Sequence, residues 1–546
     1  MAQIQQDHPS QIPLMLNEAY NRFVRGEIAP AEMLYRRVLA MQPRNFDALH
    51  MLAVVGYSTN NIEPALALFE KARAIKPRDF GLMVNYGAAL KKNKQYQEAL
   101  ECYDIALAQK PDLFEAVHNK ASCLFELEDV DGALALYQRC LDLKPNDSEI
   151  LRGIGNCYRV KDRWQEAIEW YERGTVANPK DAANYVSIAQ VCRDRGWLAT
   201  SLAMCDKALQ LDPRSEAALT IGSLVSLKRG EFETGWKHYE GRFRYADDQV
   251  SKRPLPPVYW AGEDLKDKTI LIWSEQGVGD EILYASMLPD LVSRGPRVIF
   301  ECDPRMVPVY ARSFPQISVK SWKTRHQTAT PASELNYQSS VVSLGRFFRT
   351  NFAQFPKHGG YLKCDPQKRD VLKQRYGTGP LIGISWRSSA KGAMGVVKTS
   401  TLADWEPVLR TPGVRFVSLQ YGDCRAEIAE AKAKFGVEII EDPEIDSMKD
   451  MDSFFDQVGA MDLVISTSNT TVHVAGAMGV PLWLLLAERT TPLWYWFTNR
   501  TDSPWYPSIR IIGEPPGADA SRHWIHALVG QAAADLPGWL AKRSRA

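Results

Sequence analysis

The amino-acid sequence predicts a multidomain protein in which an all-α solenoid of paired helices is followed by an α/β region of two similar lobes. Three observations carry this reading. The chain has 546 residues, and a single hydrophobic core stops growing near ~250–300 residues. A 34-residue period runs through the first half of the chain. Beyond residue 268, short β-rich apolar runs alternate with helix-like stretches, and this cycle starts twice.

The period is marked by Pro43, Pro77, Pro111, Pro145, Pro179 and Pro213. Small residues recur in the same register at Ala19, Ala53, Gly87, Ala121, Gly155 and Ala189, and again at Ala31, Ala65, Ala99, Ala133, Ala167 and Ser201. Four positions after the second series stand Tyr35, Phe69, Tyr103, Tyr137, Tyr171 and Cys205. Small residues let two helices approach closely, the aromatic fills the groove beside them, and proline ends the second helix. Period and residue types match the tetratricopeptide repeat (TPR). Residues 12–245 are therefore expected to form about six repeats, with a degraded seventh unit (216–245, containing GWKHYEGRFRY) capping the stack. Such arrays bind protein along an inner face. Asn85 and Asn119, one repeat apart, could hydrogen-bond an extended peptide there or be ordinary polar surface. Asp129 and Asp131 form a D-x-D, but in a turn between two repeat helices.

Composition narrows the function classes. A net charge of +1 argues against a nucleic-acid binder. No run of 18 apolar residues suggests a membrane span, and MAQIQQDHPSQIP does not read as a secretory signal. Nine cysteines without a CxxC pair speak against zinc or a disulfide framework and fit a reducing cytoplasm. No His/Cys/Asp/Glu cluster with ligand spacing is apparent, so neither a metal nor another cofactor is expected.

Residues 246–268, with three prolines in SKRPLPPVYWAGEDLKDK, read as a linker. TILIW (269–273), VIFECD (298–303) and ISVKSW (317–322) are candidate strands of a first lobe spanning 269–375; residues 324–342 resist assignment. A second lobe, 376–546, begins after a loop near KQRYGTGP (373–380). It offers strands at LIGISW, VRFVSLQ, VEII, DLVIST and PLWLLL, with helices at 402–410, 425–436 and 470–479. Twin Rossmann-like units of this kind enclose a cleft at their carboxyl strand ends.

Three loops could carry chemistry there. SEQGVGDEI (274–282) follows the first strand. Gly277 and Gly279 permit a tight turn, and acids in the next helical turn suit a general base better than a phosphate loop. Asp280 is that candidate base; alternatively it caps the helix. STSNTTVHVAGAMG (466–479) opens a helix with Ser468, Asn469, Thr470 and Thr471. Hydroxyls and free N–H groups at such a start suit a diphosphate. His473, one turn in, could donate to a phosphate oxygen or leaving group, or be a satisfied structural histidine. SWRSSAKGAMGVVKTS (385–400) supplies Arg387, Lys391 and Lys398, which could clamp phosphates or form a solvated basic loop.

EQGVGDEILYASMLPDLVSRG, ISWRSSAKG, VSLQYGD, DLVISTSNTTVHVAGAMGVPLWLLL, TPLWYW and DSPWYPSIRI together resemble the GT-B glycosyltransferases of the ADP-heptose:LPS heptosyltransferase group. The resemblance covers roughly 260–515 and implies metal-independent, inverting transfer from a nucleotide sugar held mainly by the second lobe. By this resemblance Asp280 matches the group's proposed base, Thr470, Thr471 and His473 match the turn facing the donor diphosphate, and Lys391 or Lys398 matches a donor-phosphate lysine. Gln420 and Glu488 are further candidate donor contacts at strand ends. Ser468-Asn469 stands where heptosyltransferases usually have Asp-Thr, a departure that bears on heptose specificity. The fusion also resembles the O-GlcNAc transferase layout, and bacterial TPR-fused relatives include enzymes that modify flagellin. The expectation is O-glycosylation of Ser/Thr on a cytoplasmic protein acceptor, flagellin being a candidate. Transfer to a lipid or polysaccharide precursor, or a scaffold with inactive lobes, are the alternatives.

Overall fold

The computed structural model describes residues 9–245, 258–322, 330–388, 399–486, 493–513 and 524–543. Lys391, Lys398 and Glu488 lie outside these residues. The chain divides into two compact units, Met1–Val191 and Cys192–Ala546.

In the first unit, five helical hairpins run from Ile12–Val24 to Trp164–Ala177. Their local causes repeat with the period. Asn45, Asp79 and Asp147 each cap a first helix by accepting from backbone N–H groups of its opening turn. The turn within each hairpin needs one left-handed residue. It falls on Asn60, Lys94, Glu128 and Asp162, with φ between 58° and 64°, and on Gly26 (φ 78°) at the same phase. Close approach of the paired helices is measurable. A β-carbon on Gly87 would meet the Tyr103 ring at 2.7 Å, and one on Gly155 would meet Tyr171 at 2.5 Å. Lys76, Lys110 and Lys144 place their ammonium groups 4.1, 3.7 and 3.5 Å over Phe46, Phe80 and Phe114, one such pair per repeat. Asp129 caps its helix by accepting from Gly132 N–H, and Asp131 pairs with Lys161. The D-x-D thus serves the repeat. Trp170 stacks on Tyr158.

The helices Ala182–Asp194, Leu198–Leu211, Glu216–Lys228 and Phe232–Tyr239 continue the 34-residue register, making fourteen helices in the all-α region. These last three belong to the second unit. Trp236, from the GWKHY segment, is buried and donates its indole N–H to the Arg349 carbonyl (2.8 Å). A β-carbon on Gly345 would stand 2.2 Å from its ring.

The rest of the second unit is built on two wholly parallel sheets. The first contains β1 (Val258–Tyr259), β2 (Thr269–Trp273), β3 (Arg297–Cys302), β4 (Ser318–Ser321) and β5 (Tyr337–Ser340), in the order β1-β5-β2-β3-β4. The second contains β6 (Leu381–Ser385), β7 (Arg415–Ser418), β8 (Ile439–Ile440), β9 (Leu463–Thr467), β10 (Leu482–Leu486) and β11 (Ile509–Gly513), in the order β11-β10-β9-β6-β7-β8. Numbered within its own sheet, the second order is 3-2-1-4-5-6, that of a doubly wound dinucleotide-type domain. One hydrophobic cluster joins Ile270 and Ile272 of β2 to Leu482 and Leu484 of β10, so both sheets share a core. The outer face of the second sheet, with Leu463 and Ile465, is covered by Leu528, Val529 and Leu536 of the C-terminal helix.

Three local expectations change. Residues 324–342 contain β5, whose Gln338, Ser339 and Ser340 are buried yet polar; no apolar alternation announces it. The stretch 246–268 is not all linker, since Val258 and Tyr259 pair with β5. Residues 373–376 are not loop but the end of the helix Pro366–Tyr376, which packs on Met451–Gly459 of the second lobe.

Candidate active site between the two sheets

β2 ends at Trp273, and the chain turns through Ser274–Gly277 into the helix Val278–Ala285. Gly277 is the N-cap, so Asp280, at the third helical position, does not cap this helix. The opposing element is the helix Thr470–Met478, which leaves β9. The two helices touch at Gly279. A β-carbon there would stand 3.0 Å from His473 Cδ2 and 3.5 Å from Nε2, so any side chain would press on the imidazole and require it to shift by a few tenths of an ångström. The structure thus brings the first-lobe glycine turn against the second-lobe helix start.

His473 is buried in a nest of aromatic rings. Its Nδ1 is 2.9 Å from the Tyr506 hydroxyl, and its ring stacks on Trp496 with centroids 5.6 Å apart. Tyr495 packs edge-on at 5.5 Å. Asp280 shares these surroundings. Burial raises the pKa values of Tyr239, Tyr284 and Tyr495, and the Asp280 charge raises them further. These tyrosines stay protonated beside a carboxylate, which favours their role as donors and apolar wall over any role as bases.

The turn Ser466–Thr471 is tied internally. Asn469 caps the helix by accepting from Thr471 N–H (3.0 Å), and its carbonyl accepts from Val472 N–H. The free amides expected at this start are in part spent on Asn469. The Asn469 amide nitrogen donates to Ser385 Oγ (2.8 Å) and to the Arg387 carbonyl (3.1 Å), fastening the loop after β6. Ser468 is buried and accepts from the Trp496 indole N–H. Thr471 is buried while Thr470 is half-buried at the first helical position.

Gln420, at the end of β7, braces the same loop. Its Oε1 accepts from the Trp386 and Arg387 backbone N–H groups at 2.9 Å each and from Ser385 Oγ at 3.2 Å. Its carboxamide oxygen is thus engaged on the loop. The Arg387 guanidinium lies 3.2 Å from Glu427 and donates to the Asp423 carbonyl. Beside Gln420 a cavity of about 400 Å³ opens at the carboxyl ends of β7 and β8, lined by Asp423, Arg425, Glu441, Asp446 and Phe454 among others.

Sequence reading missed several residues that shape this region. Tyr506 and Trp496 reach His473 from 23 and more residues along the chain, and Tyr239 reaches Gln276 from the last repeat helix (2.7 Å). The only signal was the density of aromatics in WYW and PWYP. Within the first unit, Asn85 lies 3.0 Å from His50 and Asn119 accepts from Lys91, each bond linking neighbouring repeats. All nine cysteines are free thiols, and those of the repeats are buried core residues. Among the described residues no group of three His, Cys, Asp or Glu side chains is arranged to hold a metal, and no helix is long and apolar enough to cross a membrane.

Comparison with known proteins agrees with the repeats. A family model for the anaphase-promoting complex, cyclosome, subunit 3, matches residues 25–106, and two tetratricopeptide-repeat models match 87–148 and 124–190. The chain is 36% identical over 310 residues to Protein FlbA of Caulobacter vibrioides, covering 54% of this chain and 52% of that protein. It therefore spans about half the length of the curated relative it matches. Among solved structures, a tetratricopeptide repeat protein from Parabacteroides merdae is 14% identical with a TM-score of 0.40, covering 44% of this chain and 95% of that one. YrrB, a TPR protein with an unusual peptide-binding site, is 22% identical with a TM-score of 0.28, covering 34% and 95%. The chain is a TPR-containing protein.

Proposed function

We propose that the two sheets form a GT-B glycosyltransferase, and that the chain moves a glycosyl group from a nucleotide sugar to Ser/Thr hydroxyls of a protein recruited by the repeats. Flagellin is the candidate acceptor. The observation that carries this reading is the approach of Gly279 to His473, which sets a carboxylate-bearing turn of one sheet against a hydroxyl-rich helix start of the other. Asp280 takes the acceptor hydroxyl proton. The oxygen attacks the anomeric carbon from the face opposite the leaving group, and the sugar–phosphate bond breaks with its electron pair going to the nucleotide. The departing phosphate is received at the Ser468–Thr471 turn, with Lys391 or Lys398 supplying positive charge and no metal required. The cavity beside Gln420 suits the nucleoside end. Its acidic lining would repel phosphates but accept hydrogen bonds from sugar hydroxyls.

The test is incubation of the full chain with flagellin and UDP-, GDP-, ADP- or CMP-sugars, read by intact-protein mass. A glycosyl mass increment on flagellin is expected, absent in Asp280→Ala while calorimetry shows the donor still binding. No increment on any protein and no donor turnover would reject the reading.

A further inference from the structure

The crevice between the carboxyl ends of β2 and β5 is where the strand order of the first sheet reverses, and open α/β sheets receive ligands at such a place. In this protein a guanidinium fills it. Arg242 lies just beyond the last repeat helix, in the short helix Arg242–Tyr245. Its Nε and Nη2 donate to the two oxygens of Glu275 (3.2 and 2.7 Å), and Nη2 also donates to Ser343 Oγ (2.9 Å). Its Nη1 donates to the Tyr239 carbonyl (2.8 Å) and to Glu240 (3.1 Å). All five guanidinium donors are thereby used. The plane rests on the rings of Phe243 and Tyr239, at 3.9 and 4.4 Å.

Glu275 is the second residue after β2. Its Oε1 also accepts from Ser340 Oγ (2.5 Å), at the end of β5. The next residue, Gln276, donates to the Tyr239 hydroxyl (2.7 Å). Two of the three side chains between β2 and the Gly277 turn, those of Glu275 and Gln276, are therefore held from residues 239–242. Burial alone would lower the Arg242 pKa, but the flanking Glu275 and Glu240 raise it above its ordinary value, so the clamp stays charged.

We propose that Arg242 is a positioning residue for Asp280, tying the end of the repeat region to the loop that presents this carboxylate. The catalytic half of this inference rests on the transferase reading above; the anchoring half does not. Loss of the clamp frees Ser274–Gly277 and lets Asp280 drift, and a displacement near 1 Å costs about 10²-fold in turnover.

The experiment compares Arg242→Met and the milder Tyr239→Phe with the unaltered full chain. Hydrogen exchange of peptides covering 274–282 should quicken by about tenfold, with 463–467 unchanged, as for local rather than global opening. Turnover of whichever nucleotide sugar the chain accepts should fall in kcat, with donor KM within about twofold. Methylguanidinium added to Arg242→Gly should restore both. Unchanged exchange at 274–282, or an equal rise at 463–467, would overturn the proposal. If Arg242→Met does not fold, Tyr239→Phe must show the same local signature or the proposal fails. Turnover that survives Asp280→Ala while the exchange result holds would reject Asp280 as the base and leave the anchoring in place.

Discussion

Gly279 and His473 meet so closely that a β-carbon on the glycine would stand 3.0 Å from the imidazole Cδ2 and press on the ring. The helices that carry them leave different sheets, and the glycine- and hydroxyl-rich turns approach closely at this contact.

Gly279→Ala should gain helix propensity worth up to ~1 kcal/mol yet lose more to overpacking, about 1–3 kcal/mol. The ring is held by Tyr506 and Trp496 and cannot easily retreat. Urea unfolding should show a net loss, and a stabilised variant would mean that the helices slide apart freely.

Asn469→Ala removes a helix cap together with two bonds to the loop after β6. A cap alone is worth about 1 kcal/mol. The expected loss exceeds that of Asp365→Ala, a change at a cap whose side chain accepts only from its own first turn. Equal losses in urea would show that the Ser385 and Arg387 bonds contribute nothing.

Glu281 is fully enclosed, and burial pushes its pKa up to about 7 despite the Asp303 N–H it accepts from (3.0 Å). The folded state therefore keeps a proton that the unfolded chain releases near its ordinary value. Stability should fall as pH rises from about 4.5 to about 7, by roughly 1.4 kcal/mol per unit, and level off above. In Glu281→Gln this contribution disappears. A pH series of denaturation curves in which the two proteins run parallel would contradict the assignment.

Lys94→Gly should stabilise the repeats. Lys94 has φ 61° in a hairpin turn where Gly26, Gly196 and Gly230 occupy the same phase. Relief of left-handed strain outweighs the entropy of an added glycine by about 0.5–1 kcal/mol. Thermal unfolding that is lowered or unmoved would show the strain to be negligible.

The repeats were legible because each hairpin is specified by residues inside it. The prolines, the small positions and the aromatics all recur at 34. The left-handed turn series was harder to see, since Asn60, Lys94, Glu128 and Asp162 share a backbone angle and no side-chain type. In the α/β region the apolar strands could be read directly, whereas β5 could not, because Gln338 and Ser340 meet their partners only after folding. The three loops of the candidate site were locatable from glycines and hydroxyls. The bonds that hold these loops, such as that from Trp386 N–H to Gln420, join positions more than thirty residues apart.

Trp236 sits in the core of the first sheet, and Arg242 fills that sheet's crevice. The boundary between the two compact units therefore falls within the repeats, inside the helix Ala182–Asp194, and not after them. Anyone excising the α/β half from residue 246 would remove an indole and a guanidinium that it cannot replace, and should expect an insoluble product. A graft that swaps repeat arrays between such chains should leave the final three helices with the recipient.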